Sequence, residues 1–112
     1  MGKLPVGTSH VRYVFRQYRR NAKKRGIPFN ISIDDFRALA TMNCTYCGEP
    51  PRMRYFALQA IPINGIDRVD SSIGYEMKNC VTACSDCNKL KSNKPRDEFM
   101  ALIGRIYVHQ KV

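Results

Sequence analysis

Two Cys-x-x-Cys pairs constrain this chain more than any other feature in it. "CTYC" (Cys44, Cys47) and "CSDC" (Cys84, Cys87) stand 36 residues apart. Each turn presents two thiolates to one side, and two turns complete a tetrahedron around one ion, so the pattern reads as a structural zinc site. A four-thiolate site is closed and leaves zinc no open position for chemistry, so its role is to help a short chain fold. The alternatives are a redox pair or merely buried thiols, and the duplicated spacing argues against both. The fifth cysteine, Cys80, is expected as a small buried apolar residue.

The 112 residues suit one domain, residues 1–112, with a core modest enough to benefit from a metal staple. A hydrophobic fraction of 44% argues against disorder. No apolar run approaches the roughly 18 residues of a membrane span, and "MGKLPVGTSH" lacks the apolar core of a secretory signal. An odd cysteine count argues against a secreted disulfide framework. The expectation is a soluble, cytoplasmic protein.

The formal charge is +10, and its distribution is one-sided: eight Lys or Arg lie between Lys3 and Arg25, before the first acid, Asp34. Such a block suits a polyanion, most simply nucleic acid. A solvated face serving solubility alone is the other reading. "TSHVRYVFRQYRRNAKKRGIP" spells a helix, capped by Thr8 or Ser9 and closed by Gly26 and Pro28. Val11, Val14, Phe15, Tyr18 and Ala22 give it one buried stripe. Arg12, Arg16, Arg19, Arg20, Lys23 and Lys24 fall mainly on the other faces and are the candidate nucleic-acid contacts.

"ISIDDFRALATM" reads as a second short helix, with Ser32 and Asp35 at capping-box spacing. Residues 48–64 read as loop with extended segments. "GIDRV" and "NCVTA" read as two strands of a hairpin around the turn residues of "DSSIGY". A helix follows the second knuckle. A last helix over 95–110 carries Phe99, Leu102, Ile103, Ile106 and Tyr107 as its apolar stripe. The parts are a basic helical segment (1–43), a knuckle-bounded core (44–91) and the terminal helix, in the α+β class.

Five residues near the knuckles are not needed by a zinc site: Asp67, Arg68, Asp70, Asn79 and Asn88. The hairpin can bring the Asp67 carboxylate near the Asn88 amide. Such a sparse oxygen site suits Mg²⁺ or a similar hard ion rather than zinc. Each residue also has a plain reading, as a strand ion pair (Asp67, Arg68), a turn cap (Asp70), a turn residue (Asn79) or a helix cap (Asn88).

Taken together, "CTYCG…GIDRVDSSIGYEMKNCVTACSDCNKLK" resembles the HNH (ββα-metal) endonucleases, in particular small zinc-stapled ones of phages and mobile introns. The resemblance covers about residues 44–91 and implies a ββα-metal core flanked by helices. It implies Asp67 and Asn88 as ligands of a catalytic Mg²⁺ or Mn²⁺, Asn79 as the residue fixing the hairpin loop, and Lys91 as a phosphate contact. Arg68 stands where the family's general-base histidine would be. Arginine stays protonated near neutral pH and cannot act as that base, but it can clamp a phosphate. Three substitutes for the base stay open: Asp70, a histidine (His10 or His109) folding back from a terminal helix, or water acidified by the metal alone. The implied function is a DNA endonuclease that nicks weakly sequence-specific duplex DNA as a monomer or weak dimer. A zinc-stapled nucleic-acid-binding protein with little or no turnover is the alternative, and a zinc-mediated protein-interaction module a third.

Overall fold

The computed structural model describes residues 8–56 and 59–111. Helix α1 spans Thr8–Lys24 and α2 spans Ile33–Ala40. Strands β1 (Met53–Phe56) and β2 (Gln59–Pro62) form one antiparallel pair, and β3 (Gly65–Arg68) and β4 (Cys80–Ala83) form another. Helices α3 (Ser85–Lys91) and α4 (Arg96–Lys111) complete the chain. The sequence β3–β4–α3 is the expected ββα unit, with Gly65 opposite Ala83 and Arg68 opposite Cys80.

Helix α1 buries the stripe its spacing predicts: Val11, Val14, Phe15 and Ala22 are buried, and Tyr18 packs against them. The proposed Thr8 or Ser9 cap lies outside the described side chains. The helix ends in a Schellman closure. Ile27 N–H donates to Ala22 O (2.8 Å) and Gly26 N–H to Lys23 O (3.1 Å). Gly26 sits at φ +70°, a conformation a side chain disfavours. Helix α2 is shorter than its apolar pattern suggested. Ser32 is extended (ψ 164°) and caps it by accepting from Asp35 N–H at 3.1 Å. Residue Phe36 is fully buried and meets the rings of Phe15 and Tyr18 at 5.6 and 5.4 Å.

Strand β3 departs from expectation. Alternating apolar and charged residues usually mark one dry and one wet face, yet all four residues are buried. Helix α2 packs against β3, and so does α3, so Asp67 and Arg68 are enclosed rather than solvated. Outside the hairpin, the α1–α2 connector is laced to the β3–β4 loop. Phe29 and Tyr75 form a parallel bridge, Asn30 N–H donates to Tyr75 O (2.7 Å) and Tyr75 N–H to Pro28 O (2.8 Å). A Cβ at Gly74 would stand 2.7 Å from Pro28 O, so only glycine allows this approach.

The stripe expected on α4 is largely uncovered. Phe99 is buried and meets the Tyr46 ring edge-on at 5.5 Å, but Ile106 and Tyr107 are exposed. No helix among the described residues is long and apolar enough to cross a membrane.

Candidate active site and metal centre

The two knuckles close on each other. The four thiol sulfurs of Cys44, Cys47, Cys84 and Cys87 lie within 4.8 Å of one another, and Cys47 Sγ is 3.7 Å from Cys84 Sγ. A tetrahedron with metal–sulfur distances of about 2.3 Å has sulfurs about 3.8 Å apart, so the cluster has the dimensions of a zinc cage. As free thiols, Cys44 and Cys87 shift in opposite directions. Burial raises the Cys44 thiol, but backbone N–H groups of Cys47, Cys84 and Tyr46 outweigh this and bring it down to about 6. Burial and the neighbouring sulfurs push Cys87 up. The lowered Cys44 thiol gives a soft cation a first ligand, and binding completes the site by displacing protons from the cluster. Cys80 stays outside the cage, buried, with its thiol raised to about 11 by burial.

Each knuckle also carries a residue of the second site. Tyr46 lies between the first two cysteines and donates its hydroxyl to Asp67 Oδ2 at 2.6 Å. Burial and this bond to a carboxylate raise the phenol's pKa, so it remains a donor. In the second knuckle Cys84 caps α3, accepting from Cys87 N–H (3.4 Å). Helix α3 then presents Asn88 and Lys91 to β3. Asn88 donates an amide N–H to Ile66 O (3.1 Å). Gly65 is needed here, because a Cβ would run into the Tyr18 hydroxyl and stand 3.5 Å from the Asn88 amide nitrogen.

Asp67 is 6% exposed and held from two sides. Lys91 Nζ sits 3.3 Å from Oδ1 and 3.1 Å from Oδ2, and donates to Arg68 O at 2.9 Å. With no exposed surface, Lys91 cannot meet a phosphate as the family resemblance implied. A buried ammonium needs acceptors around it, and Lys91 finds them on β3.

Arg68 is likewise turned inward. Its Nη1 donates to Ser71 O (2.7 Å) and Ile73 O (3.0 Å), and its guanidinium lies 5.2 Å from the centre of the Tyr75 ring. Asn79 ties the same loop: it accepts from Asp70 N–H and donates to Asp70 O and Gly74 O, each at 3.0 Å. Asp70 lies past the end of β3, exposed, where it accepts from Ser72 N–H (2.9 Å) and hydroxyl (2.6 Å). Those two bonds, the hydroxyl's first, lower its pKa and make it a turn cap.

Asp67, Arg68 and Asn88 line one cavity of about 240 Å³. Tyr18, Asn21 and Arg25, from α1 and its closing turn, line the same cavity. These three carry no local motif and enter the site only through the docking of α1. Neither His10 nor His109 is among the residues lining it. The basic α1 residues Arg12, Arg16, Arg19, Arg20, Lys23 and Lys24 are exposed on one flank of the molecule.

Asp67 and Asn88 line the same cavity and each has an oxygen of the kind that could hold a hard divalent ion. A carboxylate has about four acceptor positions, and Tyr46 and Lys91 leave one open on Oδ1. By donating through its amide nitrogen to Ile66 O, Asn88 leaves its carbonyl oxygen for an ion.

Comparisons with known proteins bear on the family and the fold. Residues 44–94 match the family model described as HNH endonuclease. The chain is 34% identical, over 88 residues and 79% of its length, to an uncharacterized protein, R423, of Acanthamoeba polyphaga mimivirus; it spans 15% of that relative. It is also similar in structure to the rare-cutting HNH restriction endonuclease PacI, whose structure was reported with a mechanism of DNA perturbation. The TM-score is 0.63 at 26% identity, covering 91% of this chain and 82% of that one. Residues 44–94 thus match the HNH endonuclease family model, in a fold similar to that of an HNH restriction endonuclease.

Proposed function

We propose that this protein is a metal-dependent DNA endonuclease that nicks one strand at a time, stapled by a structural zinc at Cys44, Cys47, Cys84 and Cys87. The observation that carries the reading is the meeting of Asp67 and Asn88 in one cavity that Arg25, in the turn closing α1, also lines. A Mg²⁺ or Mn²⁺ ion held by Asp67 and Asn88 supplies charge to a phosphate and acidity to water. Tyr46 and Lys91 hold the Asp67 carboxylate in place, and Asn79 and Arg68 hold the loop beside it. The exposed cations of α1 track the backbone of duplex DNA, giving salt-sensitive and weakly sequence-specific binding. A single catalytic site per monomer cuts one strand per event.

The test is nicking of supercoiled plasmid in Mg²⁺ or Mn²⁺. Asn88→Ala is expected to lose on the order of 10²–10³ in rate, and Asp67→Ala at least as much, with circular dichroism confirming that each variant folds. If folded Asp67→Ala nicks as fast as wild type, the assignment fails. One observation favours a second reading, a nucleic-acid-binding protein with little or no turnover. The residue in the general-base position, Arg68, is bound to loop carbonyls, and no histidine among the described residues lines the cavity. Tight DNA binding without cleavage in any divalent ion would favour it.

A further inference from the structure

We infer that Arg25, at the end of the basic N-terminal helix, is the guanidinium that grips the phosphate at the cut, the part the sequence pattern would give to Arg68. The inference rests on the nuclease reading above and deepens it. Two arginines line the cavity with Asp67 and Asn88, namely Arg25 and Arg68. Arg68 is 8% exposed, its Nη1 is occupied by the carbonyls of Ser71 and Ile73, and its Cζ lies over the Tyr75 ring, 5.2 Å from its centre. Releasing it toward a ligand would leave the Ser71 carbonyl without its donor and Ile73 O with only the long bond from the Asn79 amide, 3.4 Å.

Arg25 differs in each respect. It is exposed, and among the described residues its guanidinium has no ion pair or hydrogen bond. Asp67, the acid of the cavity, is already neutralised by Lys91 and does not require Arg25 as a counter-ion. Around the cavity, one formal negative charge (Asp67) faces three positive ones (Lys91, Arg68, Arg25), leaving two positive charges in excess. That excess selects an anion before any metal arrives.

The backbone of Arg25 is also held rigidly. It is the last residue before Gly26 in the Schellman closure, and its N–H is shared between Asn21 O and Ala22 O, both at 3.1 Å. An arginine whose root is fixed and whose head is free presents a planar fork suited to two phosphate oxygens. Asn21, one helical turn earlier, borders the same cavity. Arg25 and Asn21 therefore mark the end of α1 that reaches the site, whereas Arg12, Arg16, Arg19, Arg20, Lys23 and Lys24 do not line it. This gives α1 two separable tasks, general affinity along its length and alignment of the scissile phosphate at its end.

The experiment compares wild type, Arg25→Ala and Arg25→Lys in plasmid nicking and in binding of a short DNA duplex. Binding is measured on zinc-saturated protein with no Mg²⁺ or Mn²⁺ added, across a range of salt concentration. Arg25→Ala is expected to lower kcat by on the order of 10²–10³ and to reduce the salt slope of binding by about 0.9, the share of one phosphate contact. Added methylguanidine should restore part of the lost rate, and Arg25→Lys should fall between. A structural defect would show neither rescue nor a one-contact change in slope. Nicking by Arg25→Ala within threefold of wild type would overturn the inference, as would an equal loss in Arg25→Lys with no rescue. If wild type cuts no DNA in any divalent ion, the nuclease reading fails separately. The binding arm then decides the arginine, and an unchanged slope in Arg25→Ala overturns it.

Discussion

Replacing Lys91 by methionine should show how the site is held together. The side chains are similar in length, but the thioether would place no charge beside Asp67. Lys91 has no exposed surface, and its ammonium touches both Asp67 oxygens (3.3 and 3.1 Å) and Arg68 O (2.9 Å). Without it, a carboxylate only 6% exposed keeps the Tyr46 hydroxyl as its partner among the described side chains. Removing one member of a buried pair costs about 3–5 kcal/mol, because the survivor is an uncompensated charge. Unfolding entropy of about 2.1 cal/mol/K per residue gives roughly 0.24 kcal/mol/K for a chain of this size, so Tm should fall by roughly 13–21 °C. Asp67→Asn added to Lys91→Met removes the orphaned charge and should recover at least about 2 kcal/mol. Mg²⁺ should stabilise Lys91→Met more than wild type, since the ion replaces the lost positive charge. Urea melts of zinc-saturated protein, with and without Mg²⁺, measure all three effects. If Lys91→Met lies within about 1 kcal/mol of wild type, or the double variant is no more stable than Lys91→Met, the pair does not hold the site.

Removing zinc with a strong chelator should unfold the chain rather than loosen one end. Structural zinc contributes about 10–16 kcal/mol in small zinc domains, as much as or more than a domain of this size has in total. An unchanged far-UV spectrum and Tm after chelation would refute a structural role for the cage. Gly65→Ala should destabilise by about 1–3 kcal/mol through overpacking and slow nicking by more than its stability loss explains, because the new methyl displaces the Tyr18 hydroxyl, which lines the cavity and accepts from Ile66 N–H beside Asp67. Nicking at the wild-type rate by folded Gly65→Ala would show that Tyr18 has room to move.

The four-cysteine cluster and the ββα hairpin were legible in the sequence because both are built from local pieces. Spacing within a knuckle, alternation in a strand and turn residues between strands act over a few positions. Asp67 and Asn88 share a cavity for the same reason, since the hairpin and α3 follow one another directly. What could not be read was the direction in which the charged residues face. An Asp-Arg pair on a strand looks half solvated until α2 and α3 cover both faces of β3. Lys91 reads as one more surface lysine until α3 turns it onto Asp67. Tyr18, Asn21 and Arg25 stand far before Asp67 in the chain, and nothing within α1 marks them. On α4 the apolar spacing of Ile106 and Tyr107 is real, but Gly104 and the residues after it are exposed in this fold.

The lacing of Pro28, Phe29 and Asn30 to Tyr75 bears on how such a protein could be cut and recombined. A cassette of residues 44–94 would carry every cysteine of the cage, Asp67 and Asn88. It would leave behind Pro28, whose carbonyl holds the hairpin loop, and Tyr18, whose hydroxyl accepts from Ile66 N–H at 3.1 Å. The solved relative shares this fold over 91% of the chain, not over the motif alone. The transferable unit is therefore the motif together with its preceding helices. A chimera intended to keep the site must take its junction upstream of α1, because a junction just before Cys44 divides one packed unit in two.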